Sequence, residues 1–163
     1  MRLTAVLAAS AAVLIAVATS WAATISKAAT TASYRLSLDV GPVEPMYTPA
    51  QVKAKHLTSG EVMVGGAMMA GSMMSGAVER HLELHVYSRK TGAVVGNVTP
   101  TIALTDETAH AKPLKLEVVA MEGIGQGRAD LHYGNNVSVD VGHTYKVAVV
   151  VGGEPATFSF EAA

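Results

Sequence analysis

Apolar and polar residues alternate strictly over positions 34 to 40, with Tyr34, Leu36, Leu38 and Val40 on one side and Arg35, Ser37 and Asp39 on the other. Successive side chains of an extended chain point to opposite faces, so this period of two predicts a half-buried strand. The pattern returns from Arg80. There Leu82, Leu84 and Val86 share one face, while His81, Glu83, His85 and Tyr87 share the other. "SRKTG", residues 88 to 92, reads as a hairpin turn, and further strands are predicted at 99–105, 114–121, 136–141, 144–151 and 156–160. The proline-rich "GPVEPMYTPAQ" reads as a loop or irregular edge, and the second half of the glycine- and methionine-rich stretch 60–76 as a loop. No segment after residue 22 sustains a helical period. Short strands with frequent turns predict an all-β fold, an immunoglobulin-like β-sandwich of about seven to nine strands. The Cys-Trp-Cys signature of antibody domains is absent, so the likeness is one of architecture.

Composition narrows the class. The 163 residues fit one domain; half are hydrophobic and 15% are charged, which favours a packed core over disorder. A net charge of -1 provides no basic field, so nucleic acid is not an expected partner. Arg2 precedes an apolar run from about Ala5 to Ala18, and Ser20-Trp21-Ala22 supplies small residues at the positions a signal peptidase reads. The expected organisation is a signal peptide over 1–22, a flexible leader over 23–33 and a β-sandwich over 34–163, located in the periplasm or otherwise outside the cytoplasm. The chain has no cysteine, so neither disulfides nor thiol chemistry contributes.

Candidate chemistry lies in the histidines and methionines. Met63, Met68, Met69, Met73 and Met74 cluster just ahead of His81 and His85. Thioether and imidazole together suit copper, whereas zinc, calcium and magnesium seldom recruit a thioether. Methionine is equally a flexible gap-filler, and a polar strand face is equally a solvated one, so the residues alone leave both readings open. On a strand, the Cα atoms of His81 and His85 lie about 13 Å apart, too far for both to reach one small ion directly. His132 and Tyr133 precede Gly134-Asn135-Asn136, which reads as a turn leading into a strand. Neither a Ser-His-Asp constellation nor a carboxylate pair for general acid–base work stands out, so an enzyme is not expected.

Four patches, "GPVEPM" (41–46), "MSGAVERHLE" (74–83), "HYGNNV" (132–137) and "GHTYKVAV" (142–149), resemble the periplasmic iron-transport-associated proteins, a family of copper-binding, immunoglobulin-like sandwiches also described as "Fe2+ transport protein". Carried over position by position, the resemblance implies Met74, His81 and His132 as metal ligands. It also implies a copper ion, with iron as a second cargo, an inner-membrane iron permease as partner, and a homodimer. The family's further histidine near the start of the domain has no counterpart between Ala23 and Tyr34. Glu44, His56, Glu83 or His85 would have to take its place, and His85 joins the expected ligand set on that ground. His110 and His143 fall in expected turns with ordinary surface roles. Two other functions fit the same residues: a copper chaperone unconnected with iron, and a non-metal adhesion or scaffold sandwich whose methionines form a contact surface.

Overall fold

The computed structural model describes residues 23–65 and 78–163. Their strands form two sheets. One contains, in spatial order, β1 (Ile25–Thr30), β2 (Tyr34–Pro42), β5 (Val78–Ser88), β9 (His132–Val139), β8 (Val119–Gly123), β4 (Glu61–Gly65) and β3 (Met46–Tyr47). The other contains β11 (Glu154–Glu161), β10 (Thr144–Val151), β6 (Thr101–Asp106) and β7 (Leu114–Lys115). The fold is an all-β sandwich, as the alternation predicts, with eleven strands among the described residues rather than about seven to nine.

The core forms where the apolar faces of the two sheets meet. Leu36, Leu38 and Val40 of β2 and Leu82, Leu84 and Val86 of β5 meet Ile102 and Leu104 of β6, Val147 and Val149 of β10, and Phe158 and Phe160 of β11. Each such side chain stabilises the fold by about 1.5–3 kcal/mol when fully withdrawn from water. Asn135 is buried among them with its polar atoms engaged, its Nδ2 donating to the Glu117 carbonyl at 2.9 Å. The described residues contain no helix long and apolar enough to cross a membrane.

Four local expectations change. The expected flexible leader contains β1, paired in register with β2 from Ile25 opposite Val40 to Thr30 opposite Arg35. The proline-rich loop contains a short helix, α1 (Pro49–Lys55). It is set by a capping box: the Thr48 hydroxyl accepts from the Gln51 amide, and the Gln51 side chain accepts from the Thr48 amide. The expected Gly134-Asn135-Asn136 turn is instead the middle of β9. Pairing with β5 holds it extended, a long-range constraint that overrides the local turn preference of those residues. The stretch expected at 114–121 divides into β7 on one sheet and β8 on the other.

Candidate metal centre

Sheet register assembles the site on the face of the larger sheet turned away from the core. His81, Glu83 and His85 alternate with the core residues of β5. Their partners on β9 are Asn136 opposite His81 and Gly134 opposite Glu83, and the same register brings His85 beside His132. On the far side of His132, Met121 of β8 is its direct partner, and Met63 of β4 is the partner of Met121. Glu61, opposite Gly123, occupies the same face. It follows Gly60, whose backbone takes a φ of +94°, a conformation that favours glycine, and where a Cβ would lie 2.8 Å from the Pro45 carbonyl.

Gly134 is the floor of the site. A Cβ there would come within 1.7 Å of the Leu82 carbonyl oxygen, so only glycine permits β9 to lie this close to β5. With no side chain at that position, the imidazoles lean across it. The His81 and His132 ring centroids stand 5.7 Å apart at nearly right angles, and those of His85 and His132 stand 5.4 Å apart. The separation of His81 and His85 along the strand is bridged by His132, which neighbours both.

Both inner histidines have a fixed tautomer. His132 Nδ1 lies 2.9 Å from the Asp130 carbonyl, which can only accept, so this nitrogen donates. His81 Nδ1 lies 2.7 Å from Asn136 Oδ1. The Asn136 amide is itself oriented, because its Nδ2 donates to the Glu44 carbonyl at 2.8 Å, so Oδ1 accepts and His81 Nδ1 donates. In the neutral form of each ring, Nε2 is thereby the nitrogen that carries the lone pair. Both rings are fully buried, and neither Nε2 has a hydrogen-bond partner.

Carboxylates surround this pair. Glu61 Oε2, also buried and without a hydrogen-bond partner, stands 3.5 Å from His132 Nε2. His85 Nε2 stands 3.4 Å from Glu83 Oε2 and 3.8 Å from Asp39 Oδ2. Glu83, His85 and His132 each offer a ligand atom within 4.8 Å of the others, and so do Glu61, Asp130 and His132. Glu44, Glu61, Glu83 and Asp130 line a neighbouring cavity of about 400 Å³.

The electrostatics follow from this crowding. Burial, reinforced by the charges of Glu83, Asp130 and Glu44 and opposed by His85, raises the Glu61 carboxyl to about 7. Burial lowers the pKa of His81 below its usual value, outweighing the support of Asn136 and Glu83, which favours the neutral ring a metal requires. Burial acts the same way on His85, but its hydrogen bond to Glu83 and the charges of Glu83, Asp39 and Asp130 raise it overall. Glu83 is lowered because His85, His132 and His81 outweigh its burial.

Of the expected ligands, the structure brings ligand atoms of His85 and His132 within 4.8 Å of each other and sets the His81 ring against that of His132. Met74 lies outside the described residues, as do Met68, Met69 and Met73. Glu83 joins the histidines, and Glu44 contributes its backbone to Asn136 and its side chain to the cavity wall. His56 is exposed at the C-cap of α1, where it adopts a left-handed conformation, and is no ligand here. His110 is exposed. His143 is not a plain surface residue: its Nδ1 bonds Asp106 Oδ2 at 2.7 Å, tying the end of β6 to the β9–β10 turn.

Sequence reading missed Glu61, Asp130 and Met121. Glu61 reaches the site from β4, remote in sequence, Asp130 stands just ahead of His132 without a pattern that marks it, and the alternation in β8 around Met121 carries no mark of which face is the outer one. Protein-family models, curated proteins and solved structures, compared with the chain, provide no match.

Proposed function

We propose that this chain is an extracytoplasmic metal-binding protein that takes a copper ion at His132, with His81 beside it and with His85 and Glu83, whose ligand atoms lie within 4.8 Å of its own, and that it assists high-affinity iron uptake. One observation carries the metal assignment: two fully buried imidazoles present Nε2 atoms without a hydrogen-bond partner, that of His132 facing Glu61 at 3.5 Å, while their Nδ1 atoms are engaged. Leaving a buried polar atom unsatisfied costs about 1–3 kcal/mol, and a bound cation would offset that cost at both rings. Metal-bound histidines characteristically donate the other ring nitrogen to an oxygen, as these do. Imidazole donors suit copper well, and the sequence resemblance favours it and supplies the link to iron. When bound, copper would add a redox-active Lewis acid. The chain's own contribution is to fix two tautomers, hold His81 neutral and exclude water.

The carboxylate-lined cavity supports a second reading, in which the cargo is a harder divalent cation such as iron(II), held at His132 by Glu61 and Asp130. Calorimetric titration separates the two. On the copper reading, His81→Gln with His132→Gln weakens copper binding by at least about 100-fold, two lost ligands each contributing tenfold or more. Parent-like copper affinity in that double variant would refute it. Iron(II) affinity above that for copper, lost in Glu61→Gln, would favour the second reading.

A further inference from the structure

We infer that the Met121 thioether is a ligand of this centre and gives it a preference for a soft monovalent cation, copper(I) or its redox-inert analogue silver(I). The inference rests on the metal-binding reading above and assigns the site its oxidation-state selectivity. Met121 is fully buried, yet it does not belong to the hydrophobic cluster between the sheets. The adjacent β8 residue Ala120 packs toward that core, so alternation turns Met121 to the opposite face. There it is the direct cross-strand partner of His132, and residues so paired have Cβ atoms about 4.5–5.5 Å apart. The flexible thioether can close the remaining distance to an ion on the His132 Nε2.

Met63 continues the row as the partner of Met121, half-buried on β4. The face therefore reads Met63, Met121, His132, His85 across four adjacent strands. Hard donors lie one step aside, at Glu61 and Glu83. A polarisable, uncharged sulfur stabilises copper(I) and adds little for a hard divalent ion, so the two donor sets select for different oxidation states. A leucine would fill the same volume without a donor, which isolates the chemistry from the packing.

Two measurements test this on the full mature chain. With methionine methyl groups carbon-13 labelled, one equivalent of silver(I) is expected to shift the Met121 methyl resonance, identified by its absence in Met121→Leu. In competition with a chromogenic copper(I) chelator, Met121→Leu is expected to weaken copper(I) binding about 10- to 100-fold while changing copper(II) binding less than about threefold. A Met121 methyl unmoved by silver(I) while the His132 ring resonances shift would overturn the assignment. Equal losses for both oxidation states would also overturn it, because they would assign Met121 a packing role. If instead no metal perturbs His132 in the parent, the metal-binding reading itself fails, an outcome separable from the loss of Met121 alone.

Discussion

Asn136 is the residue on which the geometry of His81 turns. Its side chain accepts from His81 Nδ1 and donates to the Glu44 carbonyl, so one amide fixes both a ring tautomer and the strand-to-loop exit at Pro42–Glu44. Asn136→Ala is expected to weaken metal binding about 10- to 100-fold, the usual cost of removing an orienting partner, with the ligands themselves untouched. Titration of the variant with copper checks this, and unchanged affinity would remove Asn136 from the account. Glu61 makes a pH-dependent contribution of opposite sign to that of an ordinary surface carboxylate. Its pKa rises from 4.5 to about 7 on folding, so between those values the folded chain holds a proton that the unfolded chain has released. Stability of the metal-free protein therefore falls as pH rises through this window, by on the order of 3 kcal/mol for a shift of this size. Glu61→Gln should remove the penalty, raising stability relative to the parent at pH 8 and not at pH 4. Urea unfolding in a chelator at both values decides it.

The pairing of β5 with β9 is the element that makes a site out of dispersed residues. The alternation of β5 was legible in the sequence: Leu82, Leu84 and Val86 do enter the core, and His81, Glu83 and His85 do share the other face. The neighbour of that face was not legible, because register is set by packing between strands far apart in sequence and leaves no local trace. Gly134 illustrates the difference. Locally, Gly-Asn-Asn is a turn signal; in the fold, the glycine is required for the close approach of two backbones at Leu82. Gly134→Ala is expected to cost on the order of 3 kcal/mol or more by forcing β9 away from β5. Denaturant unfolding of the metal-free variant measures it, and a loss below about 0.5 kcal/mol, the range of an ordinary surface change, would contradict the close approach.

At the scale of the molecule, the sandwich divides its labour between two faces of one sheet. The inner face, packed against the four-stranded sheet, supplies stability; the outer face collects imidazoles, carboxylates and a thioether. Composition and period were enough to read the all-β class, because a half-apolar chain with alternating patterns and frequent turns has few other ways to bury its surface. They could not reveal that His81 and His132 meet, since 51 positions separate them in sequence and only the β5–β9 register brings them near. The central claim is that the two orphaned Nε2 atoms share one copper ion. A crystal of the protein soaked with copper and measured at the copper absorption edge tests it directly. The expected result is a single strong anomalous peak about 2 Å from both His81 Nε2 and His132 Nε2, the length of a metal–imidazole bond. A peak elsewhere on the surface, or none at this face, would contradict it.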